Sequence, residues 1–219
     1  MRQRAGEFWL EAALAEHASI ASFARFVQEL LAHAAPPELV ASALQAAAEE
    51  VEHAQTSFDI ASRLLGHSMG PGPLPLVAPR DMSLAELAVS TFEEACVEES
   101  FGALHAATAA ESCTDDDIRN ALLNIAEEEA RHAELAWRTV AWAMRQEGDV
   151  VRNAIDRFVA QRHFQRLPDA PVEAEDRLLT FGVVSGRILH EVERRSWFEI
   201  VLPVWQELRL SCQALPSTN

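Results

Sequence analysis

Apolar residues fall at helical spacing along nearly the whole chain. Trp9, Ala12, Ala13, Ile20, Phe23, Val27 and Leu30 share one face, as positions stepping by about 100° per residue must. Leu39, Ala43, Ala46, Ala54, Ser57 and Leu64 form a second stripe. Leu87, Thr91 and Phe101 form a third, and Leu122, Ile125, Ala133, Ala136 and Val140 a fourth. The first stripe predicts a helix over about 6–34, stopped by Pro36 and Pro37, and the second a helix over about 37–66. Residues 67–79 are too rich in Pro and Gly to be helical. Ser83-x-x-Glu86 is a capping box that opens a third helix running to about 112. Thr114-Asp-Asp-Asp117 caps a fourth, which Gly148 ends. Short links make each pair antiparallel, and the long link can cross the length of a bundle. The expectation is an all-α protein: a four-helix bundle over 1–148 with one long crossover. A C-terminal helical extension, 149–219, packs on it through helices near 150–165, 172–187 and 190–210, the last bent by Pro203.

Four glutamates interrupt the apolar stripes. Glu16, Glu50, Glu94 and Glu129 each sit in the middle of a core face, where an unpartnered carboxylate costs several kcal/mol. Two of them open a shared spacing, Glu50-x-x-His53 and Glu129-x-x-His132, 79 residues apart. Residues three apart on a helix lie on one face, so each motif can present an oxygen and a nitrogen to one ion. Glu16 precedes Glu50 by 34 residues and Glu94 precedes Glu129 by 35. The similarity extends to flanking residues: Glu49-Glu-Val-Glu-His-Ala54 aligns with Glu128-Glu-Ala-Arg-His-Ala133, and Glu16 to Phe23 aligns with Glu94 to Phe101. The chain reads as two helix pairs related by internal duplication.

One Glu from each of two helices, with Glu-x-x-His from each of two others, is a ligand set for di-iron and di-manganese carboxylate bundles. Carboxylate and imidazole together suit iron or manganese better than a thiolate-seeking metal. On this pattern Glu50 and Glu129 bridge two ions, Glu16 with His53 ends one side, and Glu94 with His132 ends the other. Glu98 lies one turn from Glu94 on the same face and is a candidate acid for proton delivery during catalysis. Glu99 points about 140° away, although a rotation of the helix would exchange the two. Arg131 is placed to pair with a carboxylate near the metals, and His17, His105 and the His190-Glu-Val-Glu193 run are read as rim, core or solvated side chains.

Through Glu16, Glu50-x-x-His53, Glu94 and Glu129-x-x-His132, residues 6–147 resemble the ferritin-like superfamily of non-haem di-iron proteins. That resemblance implies a ferritin-like bundle, two iron ions (a manganese–iron pair being the alternative) and O₂ as co-substrate. It does not select a substrate, since storage, detoxification and synthesis share the fold. The chain has no Tyr, which disfavours a tyrosyl-radical generator, and no Cys-x-x-Cys pair for a rubredoxin-type iron site. The extension is longer than the single short fifth helix of a cage subunit. The leading expectation is therefore an oxidoreductase that uses O₂ on a small organic substrate, with an external electron donor. The second is an iron-handling or peroxide-scavenging protein, which cage assembly would favour.

Composition narrows the partners. Lys and Arg number 18 against 34 Asp and Glu, a net charge of −16, which phosphate backbones repel; no nucleic-acid partner is expected. The N-terminus lacks the apolar core of a signal peptide, and no apolar run reaches membrane-spanning length. A cytoplasmic protein without membrane contact is expected, with a homodimer compatible. Cys96, Cys113 and Cys212 form no disulfide framework.

Overall fold

In a computed structural model the chain is described over residues 1–75, 78–162 and 176–211. Those residues are all-helical, without strands. Helix α1 spans Arg2–Ala32 and α2 spans Pro37–Leu65. Pro37 at the first position of α2 and the left-handed Gly66 after its end (φ 81°) mark its limits. The expected capping box forms at Ser83 and opens α3, Leu84–Thr91. A π-helical turn, Phe92–Val97, carries α3 directly into α4, Glu98–Ser112. The Asp115 side chain accepts from the Ile118 amide and caps α5, Asp116–Gln161.

α1 packs along α2, and the α3–π–α4 rod packs along α5, while α2 meets α5 across the middle. Two apolar clusters form, one toward each end. Trp9, Ile60, Leu64, Ala106, Ala109, Ile118 and Leu122 belong to the first. Phe23, Val27, Ala46, Phe92, Leu135, Val140 and Trp142 belong to the second. In α2 and α5 the two are separated at the same level, by Glu50 and His53 and by Glu129 and His132. A polar layer is thus enclosed between two dry halves.

The regular helix opened at Asp116 breaks at Gly148, as expected, and a further helical stretch follows it. Glu147 and Gly148 leave helical angles and kink α5, which then continues to Gln161. Beyond it a 3₁₀ segment, Asp176–Phe181, precedes α6, Gly186–Arg195, a second π turn, Ser196–Val201, and α7, Leu202–Ser211. The second π turn falls just before Pro203, whose ring and missing N–H disfavour a regular turn there. The expected helix over 172–187 lies partly outside the described residues, as does Cys212; its described part is 3₁₀ and loop before α6 begins.

The residues after 148 share the core of the rest. Val151, Ile155, Trp197, Val201 and Trp205 are buried in the same cluster as Phe92 and Leu135. The Trp9 indole donates to the Phe181 carbonyl at 2.9 Å, and the amides of Thr114 and Asp115 donate to the Thr180 carbonyl. No helix among the described residues is long and apolar enough to cross a membrane.

Candidate metal centre

Six side chains from four helices meet in the polar layer. Glu16 (α1), Glu50 and His53 (α2) and Glu129 (α5) offer ligand atoms all within 4.8 Å of one another. Glu50, Glu99 (α4), Glu129 and His132 (α5) do the same. Glu50 and Glu129 are common to both sets, so the layer holds two adjacent loci that share two carboxylates.

The imidazoles are held from the far side. His53 Nε2 lies 2.8 Å from Glu128 of α5, and His132 Nε2 lies 2.8 Å from Glu49 of α2. Each histidine is therefore fixed by the helix opposite its own. A carboxylate that accepts the Nε2 hydrogen turns the Nδ1 lone pair inward and raises its basicity. His132 Nδ1 is 3.1 Å from Glu50 and 3.6 Å from Glu129; His53 Nδ1 is 3.4 Å from Glu129 and 3.8 Å from Glu50. Arg131 bonds Glu49, Glu128 and Glu127. It therefore braces the two carboxylates behind the histidines and touches none of the inner ones. The Phe23 ring packs edge-on against His132 at 5.2 Å.

The inner atoms are unsatisfied. Glu50 Oε2, His53 Nδ1, Glu129 Oε2 and His132 Nδ1 are buried without a hydrogen-bond partner. Buried polar atoms are nearly always paired, and four orphans converging on one place fit a cation that would pair them all. The donor set of oxygen and imidazole nitrogen suits a divalent ion of the iron or manganese kind.

Electrostatics carry the same signature. Burial, with the charges of Glu129 and Glu50, pushes the Glu16 carboxyl up to about 8. Burial and the adjoining Glu129 carboxylate hold Glu99 well above the usual range. Burial alone would lower both histidines, but the surrounding carboxylates outweigh it, raising His53 to about 9 and His132 to about 10. Burial would raise Glu129 as well, yet contact with Glu99, His132 and His53 holds it far below its ordinary value. The imidazolium protons thus offset the negative charge of the surrounding carboxylates.

This has a testable consequence. A histidine whose folded pKa exceeds its unfolded value of 6.5 stabilises the fold fully below pH 6.5, and that stability is lost as pH rises through 9 to 10. Glu16 acts in the same direction, since its neutral carboxyl must ionise as pH climbs from 4.5 toward 8. The melting temperature of the metal-free protein should therefore fall steadily between about pH 6.5 and 9.5. Zinc loading should flatten the curve, because bound cations need no protons. Circular dichroism melts across that range would contradict the account if the metal-free curve were flat.

Glu94 does not join the layer. Its side chain is 48% exposed and pairs with Arg25 at 3.2 Å and Arg80 at 3.0 Å. Glu99 occupies the place expected of it. The cause is the π turn at Phe92–Val97, which takes one more residue than an α-turn and rotates everything after it. Up to Thr91 the expected face is buried, Leu87 at 1% and Thr91 at 4%. Past the turn the inward positions move on by one, so Glu99 replaces Glu98 on the core side. Glu98, expected as an acid beside the metals, is exposed and faces the charges of Arg162 and Glu193.

The lesser residues take structural places. His17 Nε2 contacts the Gly72 carbonyl, His105 stacks on Phe101, Trp137 meets Phe92 edge-on, and His190 sits beside Glu193. Glu49 and Glu128 were visible in the repeated Glu-Glu-x-x-His run, but nothing in that run distinguishes the residue facing the ion from the one bracing the opposite histidine. Comparison with known protein families, curated proteins and solved structures returns no match.

Proposed function

We propose that the protein is a ferritin-like four-helix bundle, with residues 66–83 as its long crossover, that binds two iron ions and uses O₂ to oxidise a small organic substrate. The observation that supports it best is the convergence of four orphaned inner atoms between two ligand sets that share Glu50 and Glu129. Glu16 and His53 would complete one ion, and Glu99 and His132 the other. The bound irons would supply the electrons and open coordination positions that no side chain here can provide.

The chain's own groups have separate tasks. Glu49 and Glu128 orient the imidazoles, and Arg131 bonds both carboxylates and holds them in place. The two apolar clusters exclude water from either end. Glu16 and Glu99, held protonated in the metal-free state, give up their protons when cations arrive. An external electron donor would return the irons to the ferrous state between turnovers.

One observation favours a second reading, peroxide scavenging or iron handling without an organic substrate. The cleft that reaches Glu99 measures only about 50 Å³, room for about three or four waters at the volume one water needs.

The test is anaerobic Fe(II) loading followed by O₂, read by iron analysis, absorbance and Mössbauer spectroscopy. Two irons per chain are expected, with oxidation on O₂ addition; one zinc per chain with no iron uptake would sink the proposal. Oxygen consumption that exceeds iron oxidation only when an organic reductant is oxidised selects the first reading; faster reaction with hydrogen peroxide selects the second. Glu99→Gln should hold about one iron fewer than wild type, whereas Glu94→Gln should hold both. Equal iron content in the two variants would show that the π turn does not set the ligand.

A further inference from the structure

A cleft lies between α1 and the rod of α3, the π turn and α4. Ser22, Phe23, Phe26, Thr91 and Ala95 line it, and Glu99 stands at its inner end. Phe23 is shared with the centre, since its ring also packs on His132. Resting on the functional reading above, we propose that this cleft is the port of the centre. It admits small uncharged molecules of about four heavy atoms or fewer, and neither its apolar lining nor the balanced charges beside it favour the entry of ions.

Three observations carry the proposal. The first is lining. Phe23, Phe26 and Ala95 offer an entering ion nothing to replace its water, a loss worth several kcal/mol. The second is charge: Arg25, Glu29 and Glu94 line the cleft, Glu29 buried and Glu94 half-exposed, and Arg80 behind them closes a lattice of the four. Arg80 bonds Glu29 at 2.9 and 3.2 Å and Glu94 at 3.0 Å, while Arg25 lies 3.2 Å from Glu94 and 3.7 Å from Glu29. Two positive and two negative charges leave no net field to draw in either kind of ion. Arg80 lies just before α3, so the lattice also ties that end of the rod to α1. The third is Thr91. It is 4% exposed, lines the cleft, and its hydroxyl has no partner. A buried hydroxyl without a partner is uncommon, and a small polar molecule in the cleft would satisfy it.

The π turn links port and centre. It turns Glu99 inward and leaves Glu94, five residues earlier, at the rim. The same local widening therefore supplies an inner carboxylate and the outer half of the lattice.

The port can be tested without relying on turnover. Xenon under pressure should occupy the cleft among Phe23, Phe26 and Ala95 in crystals of the metal-free protein, and should be absent from Ala95→Phe crystals. In Fe(II)-loaded protein, nitric oxide and azide are compact probes that differ in charge, and each changes the iron spectrum on binding. Ala95→Phe should keep two irons and slow nitric oxide binding at least tenfold. Glu94→Gln should keep two irons, leave the nitric oxide rate near wild type and speed azide binding severalfold, because the lattice then carries one net positive charge. An Ala95→Phe protein with two irons and an unchanged nitric oxide rate would overturn the port. So would an azide rate indifferent to Glu94→Gln. Should the wild type take up no iron, the metal reading falls. Xenon alone then decides the port: density in the cleft sustains it and an empty cleft overturns it.

Discussion

Replacing Glu50 or Glu129 by alanine is expected to abolish oxygen reactivity, by at least about a hundredfold, while leaving a folded helical protein. Each carboxylate belongs to both ligand sets, so either loss damages both loci at once. Removing a terminal residue such as Glu16 damages one. The fold should tolerate the change because the layer can rebalance its charge by proton exchange, Glu16 and Glu99 being held toward the neutral form. The two histidines can shed their protons in compensation, which keeps any uncompensated buried charge small. The expected result is bound iron falling below one per chain, oxygen uptake at background, and far-ultraviolet circular dichroism close to wild type. Full oxygen consumption by both variants would place the metals elsewhere. Collapse of the helical signal would show that the carboxylates are structural before they are ligands.

Truncation after Gly148 is expected to have the largest effect on stability. Residues before 149 supply every side chain of the layer, which alone would leave 149–219 dispensable to it. The packing says otherwise. Val151, Ile155, Trp197, Val201 and Trp205 are each at most 5% exposed and lie in the cluster that includes Phe92 and Val140. At about 1.5–3 kcal/mol for each large buried side chain, their removal costs roughly 10 kcal/mol, comparable to the whole stability of a typical domain. The truncated chain should aggregate or bind an apolar dye, and should hold no iron after purification. A monomeric, iron-loaded fragment melting within a few degrees of the full chain would restore the extension to the status of an accessory.

Much of this was legible from spacing. The helix boundaries followed from Pro37, Gly66, Ser83 and Asp115, because caps and breakers are local chemistry. Glu50, His53, Glu129 and His132 followed from polar residues sitting where apolar ones belong. Glu16 followed from its place on a buried stripe. What failed was phase. Glu94 and Glu98 were placed by carrying a period of 3.6 through Phe92–Val97, where the helix widens. No residue in that stretch announces a π turn, and one extra position is enough to exchange Glu98 for Glu99. The break at Gly148 was legible, because glycine leaves helical angles at little cost; what the sequence did not show is that the stretch beyond it buries Val151 and Ile155 in the shared core.

The bracing of each histidine from the opposite helix has the form of an isologous contact: Glu49 reaches His132 as Glu128 reaches His53. Such reciprocity is what a two-fold dimer of identical helix pairs would show at its interface. A chain made by duplicating one pair would retain that interface as an internal seam, α2 against α5, with the centre lying on the former axis. The seam is still nearly symmetric, whereas Glu16 and Glu99 no longer correspond. On such an origin, divergence would have fallen on the outer helices and spared the axis, where a change on one side must be matched on the other.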